Sequence, residues 1–389
     1  MSILGKNENR SSAIGEAAPK KRPLYRSITD TLRQQLMDGD LAAGARMPAL
    51  RELAKKFNVS TITIRQALRV LEQEGRLHCI PGVGSFVRPT LPRETATEQI
   101  TVAFVTIEIE GAYTSEIAHS IEEECQQRGW GMQLFNAQGF PHLEARNLSR
   151  LAKTGANAAI IVPVSDNENL EEMVRLKLAD FPFVLVDRSI PGLKVDVVAS
   201  DHEKGAYMAT DYLLSQGHRK ILMVGYTIMS SSITARIQGY EQALIDHGLE
   251  PLREWKVWIK DEAILRGCRE HRPWLGGYEA VKPLLKKIEP PIAVFAQNSY
   301  SGWGVFEACR EMGLNIPQEV SIICFDDSEF KRALTPHMTA IAQRTYEIGR
   351  LAVELLESRL SRGNTDDPQQ ILVDVDLVER ESVSSLLAD

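Results

Sequence analysis

Thr61, Ile62, Arg65 and Arg69 fall at i, i+1, i+4 and i+8 of one helical face, and Ile64, Ala67, Leu68 and Leu71 form the opposite, apolar face. Short polar and cationic side chains in that pattern can hydrogen-bond to phosphates and base edges. Side chains suited to covalent chemistry are not arranged for it. The eight histidines show no HxxxH or HExxH spacing, and no nucleophile elbow with ordered triad partners stands out. Asp326 and Asp327 are adjacent, but on an extended chain neighbouring side chains point opposite ways, so capping after a strand fits them better than a catalytic or metal pair. Cys79, Cys125, Cys268, Cys309 and Cys324 are odd in number and contain no CxxC, against a disulfide framework or zinc ribbon and in favour of a reducing compartment. The expectation is no enzyme, no cofactor and no metal.

The elements that must position the polar face lie around it. Leu50, Leu53, Ala54 and Phe57 give a preceding helix one apolar side, with Pro48 placed to open it. Asn58-Val59 leaves room only for a turn, and Ser60 is a good N-cap for the next helix. Tyr25, Ile28, Leu32 and Leu36 stripe an earlier helix. After Gly75, two short extended runs, Leu77–Cys79 and Ser85–Val87, are joined through Pro81-Gly82-Val83-Gly84 as a wing. The Gly-Val-Gly run lacks the strand-to-helix setting of a phosphate loop. This is helix-turn-helix spacing: one helix packs and the next faces a major groove.

Charge divides in the same way. The whole chain of 389 residues carries −7, but residues 1–90 hold 15 Lys/Arg against 8 Asp/Glu, leaving 30 against 44 in the remainder. A head of +7 on a body of −14 is the distribution expected if only the head meets phosphate. Residues 1–21 read as a disordered tail, 22–88 as the head, and 89–98, with prolines and no periodicity, as a linker. No apolar run follows the N-terminal charges, and no stretch approaches the length of a membrane span.

From residue 99, short Val/Ile/Leu runs alternate with amphipathic helices: ITVAFVTI, GMQLFNA, AAIIVPV, PFVLVDR, VDVVASD, KILMVGY, WKVWIK, PIAVFAQ and VSIICFDD. Such runs read as parallel strands buried on both faces. They are too many for one ordinary open sheet. The fold class expected is α/β: a winged helix-turn-helix head and a body, 99–389, of two doubly wound lobes with ligand space at the strand carboxyl ends. Lobe 1 is expected at about 99–200 and 344–362, and lobe 2 at about 201–340 and 370–385.

Two resemblances join these readings. MPALRELA, VSTITIRQAL, LEQEG and GVGSFV resemble the winged helix-turn-helix of the GntR family of bacterial regulators, over roughly residues 22–90. The resemblance implies DNA contacts from Arg51 and Arg65 and a wing glycine, Gly82, against the minor groove. With Thr61 and Thr63, these make up the expected DNA-binding set. Leu50 stands where the family usually has an acidic residue, and Thr61 where it often has Arg. GHRKI, RIQGY and NIPQEVSIICFDD resemble the effector-binding body of the LacI/GalR family, which has the fold of periplasmic sugar-binding proteins, over roughly 99–385. The combination resembles regulators of the arabinose-repressor type. It implies a cytoplasmic, homodimeric transcription regulator, a repressor, that binds double-stranded operator DNA and responds to a sugar-like small molecule. The alternatives are a solute-binding protein, or an enzyme acting on a sugar with an autoregulatory head.

The LacI/GalR resemblance also implies effector contacts. Arg236 takes the place of an Arg that points into the cleft, favoured over a surface or interlobe ion pair because its rigid fork of donors suits bidentate contacts. Ser299 replaces the usual Asp of an Asn-Asp pair. Tyr113 matches an aromatic lining the cleft and could equally be a core aromatic. Gln343 sits at a strand end near the lobe crossover, and Asp326 follows a strand. Trp274, in a Trp- and Arg-rich segment between Leu252 and Gly277 read as an insertion at the cleft mouth, could stack on a sugar. Asp187-Arg188 could line the cleft or simply pair.

Overall fold

The computed structural model describes residues 23–38, 41, 45–80, 84–87, 99–226, 230–327, 334–362 and 367–387, apart from the side chains of Ile80 and Ala152. The expected tail 1–21, the linker 89–98 and Gly82 lie outside the described residues. The chain divides into two compact units, Met1–Thr97 and Glu98–Asp389.

In the head, α1 (Leu24–Met37), α2 (Leu50–Phe57) and α3 (Thr61–Gln73) bury Ile28, Leu32, Leu53, Ile64, Ala67, Leu68 and Leu71 in one core. α2 starts after Ala49, whose N–H donates to the Glu52 carboxylate at 3.0 Å. Pro48 therefore lies one residue outside the cap and does not open the helix. Asn58 adopts φ 51° and turns the chain between α2 and α3, a conformation asparagine tolerates. Strands β1 (Leu77–Ile80) and β2 (Gly84–Val87) pair antiparallel from Leu77↔Val87 to Ile80↔Gly84. Gly84 has φ 146°, a backbone angle that calls for glycine, and the Arg46 side chain lies over it.

The body contains two sheets, each of six described strands. The first has the order β13-β7-β6-β5-β3-β4, from Gln370–Val373, Asp196–Ser200, Phe183–Val186, Ala158–Ile161, Thr101–Thr106 and Gly131–Asn136, all parallel. The second has the order β14-β12-β11-β10-β8-β9, from Val375–Val378, Thr339–Gln343, Val320–Phe325, Ile292–Ala296, Ile221–Tyr226 and Lys256–Ile259. Only its β14 edge runs antiparallel, paired with β12. Along β3, Val102 and Phe104 pack under α4 (Ala112–Gln127) and α12 (Thr345–Arg362), whereas Ala103 and Val105 face the core of α5 (Pro141–Leu148) and α6 (Leu170–Leu178). This is why the strands read as unbroken apolar runs. The second sheet is likewise covered by α7 (His202–Ser215) and α8 (Ser231–Asp246) on one face and α10 (Leu275–Leu285) and α11 (Ser299–Met312) on the other.

The chain crosses between lobes after β7, after β12 and at Asp374. The expected assignment of 370–385 to lobe 2 is corrected: β13 pairs in parallel with β7 of lobe 1, and only the chain from β14 onward belongs to lobe 2. Val373, buried in the lobe 1 core, and Val375, buried in the lobe 2 core, sit either side of the crossover, and two apolar strands so close together do not announce which sheet each joins. The crossovers are tied by Lys204 to Asp374 at 2.8 Å and by a bidentate Arg344–Asp376 pair at 2.9 Å. The segment read as an insertion is regular structure: β9 is an edge strand, and α9 (Asp261–Arg269) packs against α10.

Candidate DNA interface and effector cleft

α3 is fixed by its cap and its buried face. Ser60 Oγ accepts from the Thr63 N–H at 3.2 Å and lies 2.9 Å from Thr63 Oγ1. Ile64 and Ala67 are fully buried, which sets the roll of the helix and turns Thr61, Ile62, Arg65, Gln66 and Arg69 to solvent. Arg51, on α2, is also exposed, and neither it nor Arg65 nor Arg69 forms an ion pair among the described residues. Arg33, by contrast, is held by Glu74 and Asp30. Of the expected set, Arg51, Thr61 and Arg65 are presented outward, whereas the half-buried Thr63 spends its hydroxyl at the cap. Gln66 was not singled out from the sequence, although its four-residue offset from Ile62 puts it on the same face.

In the body, the strand carboxyl ends bring a second group together. Asp187 follows β6 with φ 71° and is buried. Its Oδ1 accepts from the Tyr113 hydroxyl at 3.1 Å, and its Oδ2 accepts from Arg188 Nε at 3.0 Å. His202, at the start of α7, places Nε2 3.2 Å from the Asp187 carbonyl and 3.3 Å from Oδ1. Its Nδ1 lies 3.2 Å from Arg236 Nη2. A guanidinium can only donate, so Nδ1 accepts and Nε2 carries the hydrogen directed at Asp187. Arg236 also donates to the Gln297 carbonyl at 2.5 Å, and its guanidinium lies 3.8 Å from the centre of the Phe325 ring. Burial alone would raise the Asp187 carboxyl pKa, but His202, Arg188 and Arg236 together hold it well below the usual range. The Tyr113 hydroxyl is pushed well above its ordinary value by burial and then by the Asp187 carboxylate, so it stays a donor.

Two glycines make this approach possible. A Cβ on Gly239, three residues after Arg236, would lie 2.1 Å from the Glu203 carbonyl, so α8 can press onto α7 beside His202 only with glycine there. A Cβ on Gly205 would meet the Phe325 ring at 2.8 Å. The GY of the RIQGY motif is thus a packing device: Gly239 admits α7, and the fully buried Tyr240 donates to the Ile221 carbonyl at 2.8 Å.

The lobes touch directly at the α8 N-terminus. Ser231 Oγ accepts from the Ser189 N–H at 2.9 Å and donates to the Ser189 carbonyl at 3.1 Å, while Ser232 Oγ lies 3.5 Å from Asp187 Oδ2. Gln343 Nε2 donates to the Asp326 carboxylate, leaving the buried Gln343 Oε1 without a partner among the described residues. Asp327 turns the other way and takes a bidentate pair from Arg380 at 2.7 and 2.8 Å. The two adjacent carboxylates diverge because Asp326, just past the end of β11, adopts φ 70°, not because an extended strand alternates them.

Of the residues expected at the effector site, Tyr113, Arg236, Asp326 and Gln343 gather at these strand ends, and the buried Ser299 opens α11 just after β10. Arg188 pairs with Asp187 itself and donates to the Val164 carbonyl at 2.8 Å. Trp274 stands apart from this group. Its ring packs 5.7 Å from Tyr278 and 6.2 Å from Trp303, with Arg272 over it, in a recess also lined by Glu307 and Arg310 farther along α11. Sequence reasoning missed His202 and Tyr226. His202 has no motif around it, whereas Tyr226, at the end of KILMVGY, occupies a strand carboxyl end and could have been found that way.

A winged helix-turn-helix head and a two-lobed body with a polar cleft define a ligand-responsive DNA-binding regulator. Residues 24–87 match the model of bacterial regulatory proteins of the gntR family, and residues 210–383 match the periplasmic binding protein-like domain. The chain thus joins a gntR-type head to a periplasmic binding protein-like body. It is 28% identical over 352 residues to the HTH-type transcriptional repressor PurR of Haemophilus influenzae (strain PittEE), covering 88% of this chain and 100% of the relative. It is 26% identical over 372 residues to the arabinose metabolism transcriptional repressor of Geobacillus stearothermophilus, covering 94% and 99%. A solved LacI family transcriptional regulator from Enterococcus faecium, with bound ribose, shares the body fold at TM-score 0.63 and 24% identity, covering 74% of this chain and 100% of that one. Among the described residues, no helix is long and apolar enough to cross a membrane.

Proposed function

We propose that this protein is a sequence-specific transcriptional repressor whose operator affinity is set by a small polyhydroxylated molecule, a sugar or derivative, bound between the lobes of its body. The observation that carries the DNA half is the outward face of α3, where Arg65 and Arg69 stand exposed beside Thr61 and Ile62 over a fully buried opposite face. The names of the two relatives, both repressors, favour the same direction. For the effector half, the support is a convergence of donors and acceptors at strand carboxyl ends, the usual ligand position in open α/β sheets. Arg236 orients ligand hydroxyls or a carboxylate, with Tyr113, Ser299, Asp326 and Gln343 around it.

The protein works as a homodimer in the cytoplasm, with two heads on a pseudo-palindromic operator. It regulates rather than catalyses, the direction that the names of both relatives favour. The test is fluorescence anisotropy of the full chain on duplexes from its own upstream region at fixed salt, with and without pentoses, hexoses and their phosphates. Saturable binding that one class of sugar shifts fivefold or more is expected from an allosteric coupling of about 1–3 kcal/mol. No duplex preferred over a scrambled one would refute the DNA half. A preferred duplex unmoved by any sugar would refute the effector half.

A further inference from the structure

Ile62 is 73% exposed and is the one large aliphatic that α3 leaves in solvent among the described residues. It cannot be turned inward, because Ile64, two residues on, is fully buried and Ser60 clamps the first turn through Thr63. Its neighbours on the same face are Thr61, Arg65 and Gln66, all exposed. A bare β-branched side chain amid polar and cationic groups, at the N-terminal turn of a groove-facing helix, gains most from an apolar partner on the surface it meets. The thymine 5-methyl is the one apolar group that the four bases present in the major groove. Arg65 and Gln66 can find donors and acceptors on several bases; an aliphatic side chain cannot. Thr63, half-buried in the first turn, offers less apolar surface for that role than the exposed Ile62.

We propose that Ile62 is a specificity-determining residue that packs on the 5-methyl group of one thymine in each operator half-site. The inference rests on the reading of the head as a DNA-binding unit. The contact contributes through the methyl alone, so removing it should weaken binding about fourfold, the value of one buried methyl.

The experiment begins with selection of duplexes from a random library by the full chain. Each thymine of the enriched sequence is then replaced singly by deoxyuridine, which lacks only the methyl. Affinities are measured by anisotropy for the wild type and for Ile62→Ala, which fills an exposed helical site with a better helix former and leaves the fold unstrained. One thymine per half-site should show the about fourfold deoxyuridine penalty in the wild type and none in Ile62→Ala. Penalties elsewhere should be equal in the two proteins. A second selection with Ile62→Asn should replace that thymine by adenine, which asparagine pairs with bidentately. Equal penalties in both proteins at every thymine, or none in either, would overturn the assignment and leave Ile62 as a contact to protein. If the wild type enriches no sequence at all, the reading of the head itself fails.

Discussion

Arg236→Ala tests the cleft network most directly. The side chain is 7% exposed, so solvent screens its interactions little. Truncation leaves His202 Nδ1 and the Gln297 carbonyl without their donor, removes the cation from the Phe325 ring and takes away one of the charges that hold Asp187 ionised. Breaking a buried, hydrogen-bonded charge arrangement from one side costs about 3–5 kcal/mol. For a unit the size of Glu98–Asp389, that corresponds to a fall in melting temperature on the order of 10 °C. Calorimetry of the full chain should show the loss, and Arg236→Lys, which keeps the charge but not the fork, should recover part of it. Operator binding measured well below the transition should persist, because the head has its own core, but with the affinity of the effector-loaded wild type, since the mutation frees His202 Nδ1 as a ligand at Arg236 would. The effector response should vanish, since a cleft that cannot order His202 and Asp187 presents no fixed donors to a ligand. A melting temperature within about 2 °C of wild type, with an intact response, would refute both the network and the site.

Arg51→Ala and Arg65→Ala should each weaken operator binding by about 1–3 kcal/mol if the side chain reads a base, and less with a shallower salt slope if it meets phosphate, as salt-dependent anisotropy will distinguish. Gly239→Ala should destabilise the body by more than about 2 kcal/mol in urea melts, since the new Cβ has backbone 2.1 Å away on α7 and nothing flexible to displace. Asp187 has its folded-state pKa lowered below the unfolded value, so its contribution is present above about pH 4 and is lost as pH falls further; Asp187→Asn should flatten the acid limb of the stability profile below that pH. Limited proteolysis should cut first within residues 88–98 and release a body that sedimentation finds dimeric, whereas a monomeric body would move the dimer contact to the head.

The parts that were legible in the sequence are those set by local pattern and by burial on two faces. Ser60 with Ile64, Ala67, Leu68 and Leu71 announces α3 because a cap and a 3.6-residue stripe are both local signals. The runs from ITVAFVT to VSIICF announce parallel strands because each side of each strand meets a helix layer. The partner of β13 was not legible, since Val373 and Val375 are equally apolar and the crossover at Asp374 has no composition of its own. The place of Trp274 was not legible either: it depends on how α10 lies against α11, where a Cβ on Gly304 would lie 2.4 Å from the Trp274 carbonyl. His202 escaped notice because its role comes from Asp187 and Arg236, residues 15 and 34 positions away that only the fold brings to it.

The same geometry constrains how an effector can act. Without one, the lobes already bond directly through Ser189 with Ser231 and through Asp187 with Ser232 and His202. A ligand that merely added contacts on one lobe would leave the balance between open and closed arrangements unchanged, because equal affinity for two states shifts neither. To move the heads it must bridge the lobes more strongly than these side chains do alone, or pull them apart by taking their partners. Arg236 is where the two routes diverge. Its Nη1 is committed to Gln297 of its own lobe, whereas Nη2 reaches Asp187 only through His202. A hydroxyl or carboxylate that took over the Nη2 hydrogens would free His202 Nδ1 and loosen the chain of bonds to Asp187, leaving the lobe's internal anchor in place. The His202 ring thus stands between a carboxylate of one lobe and a guanidinium of the other.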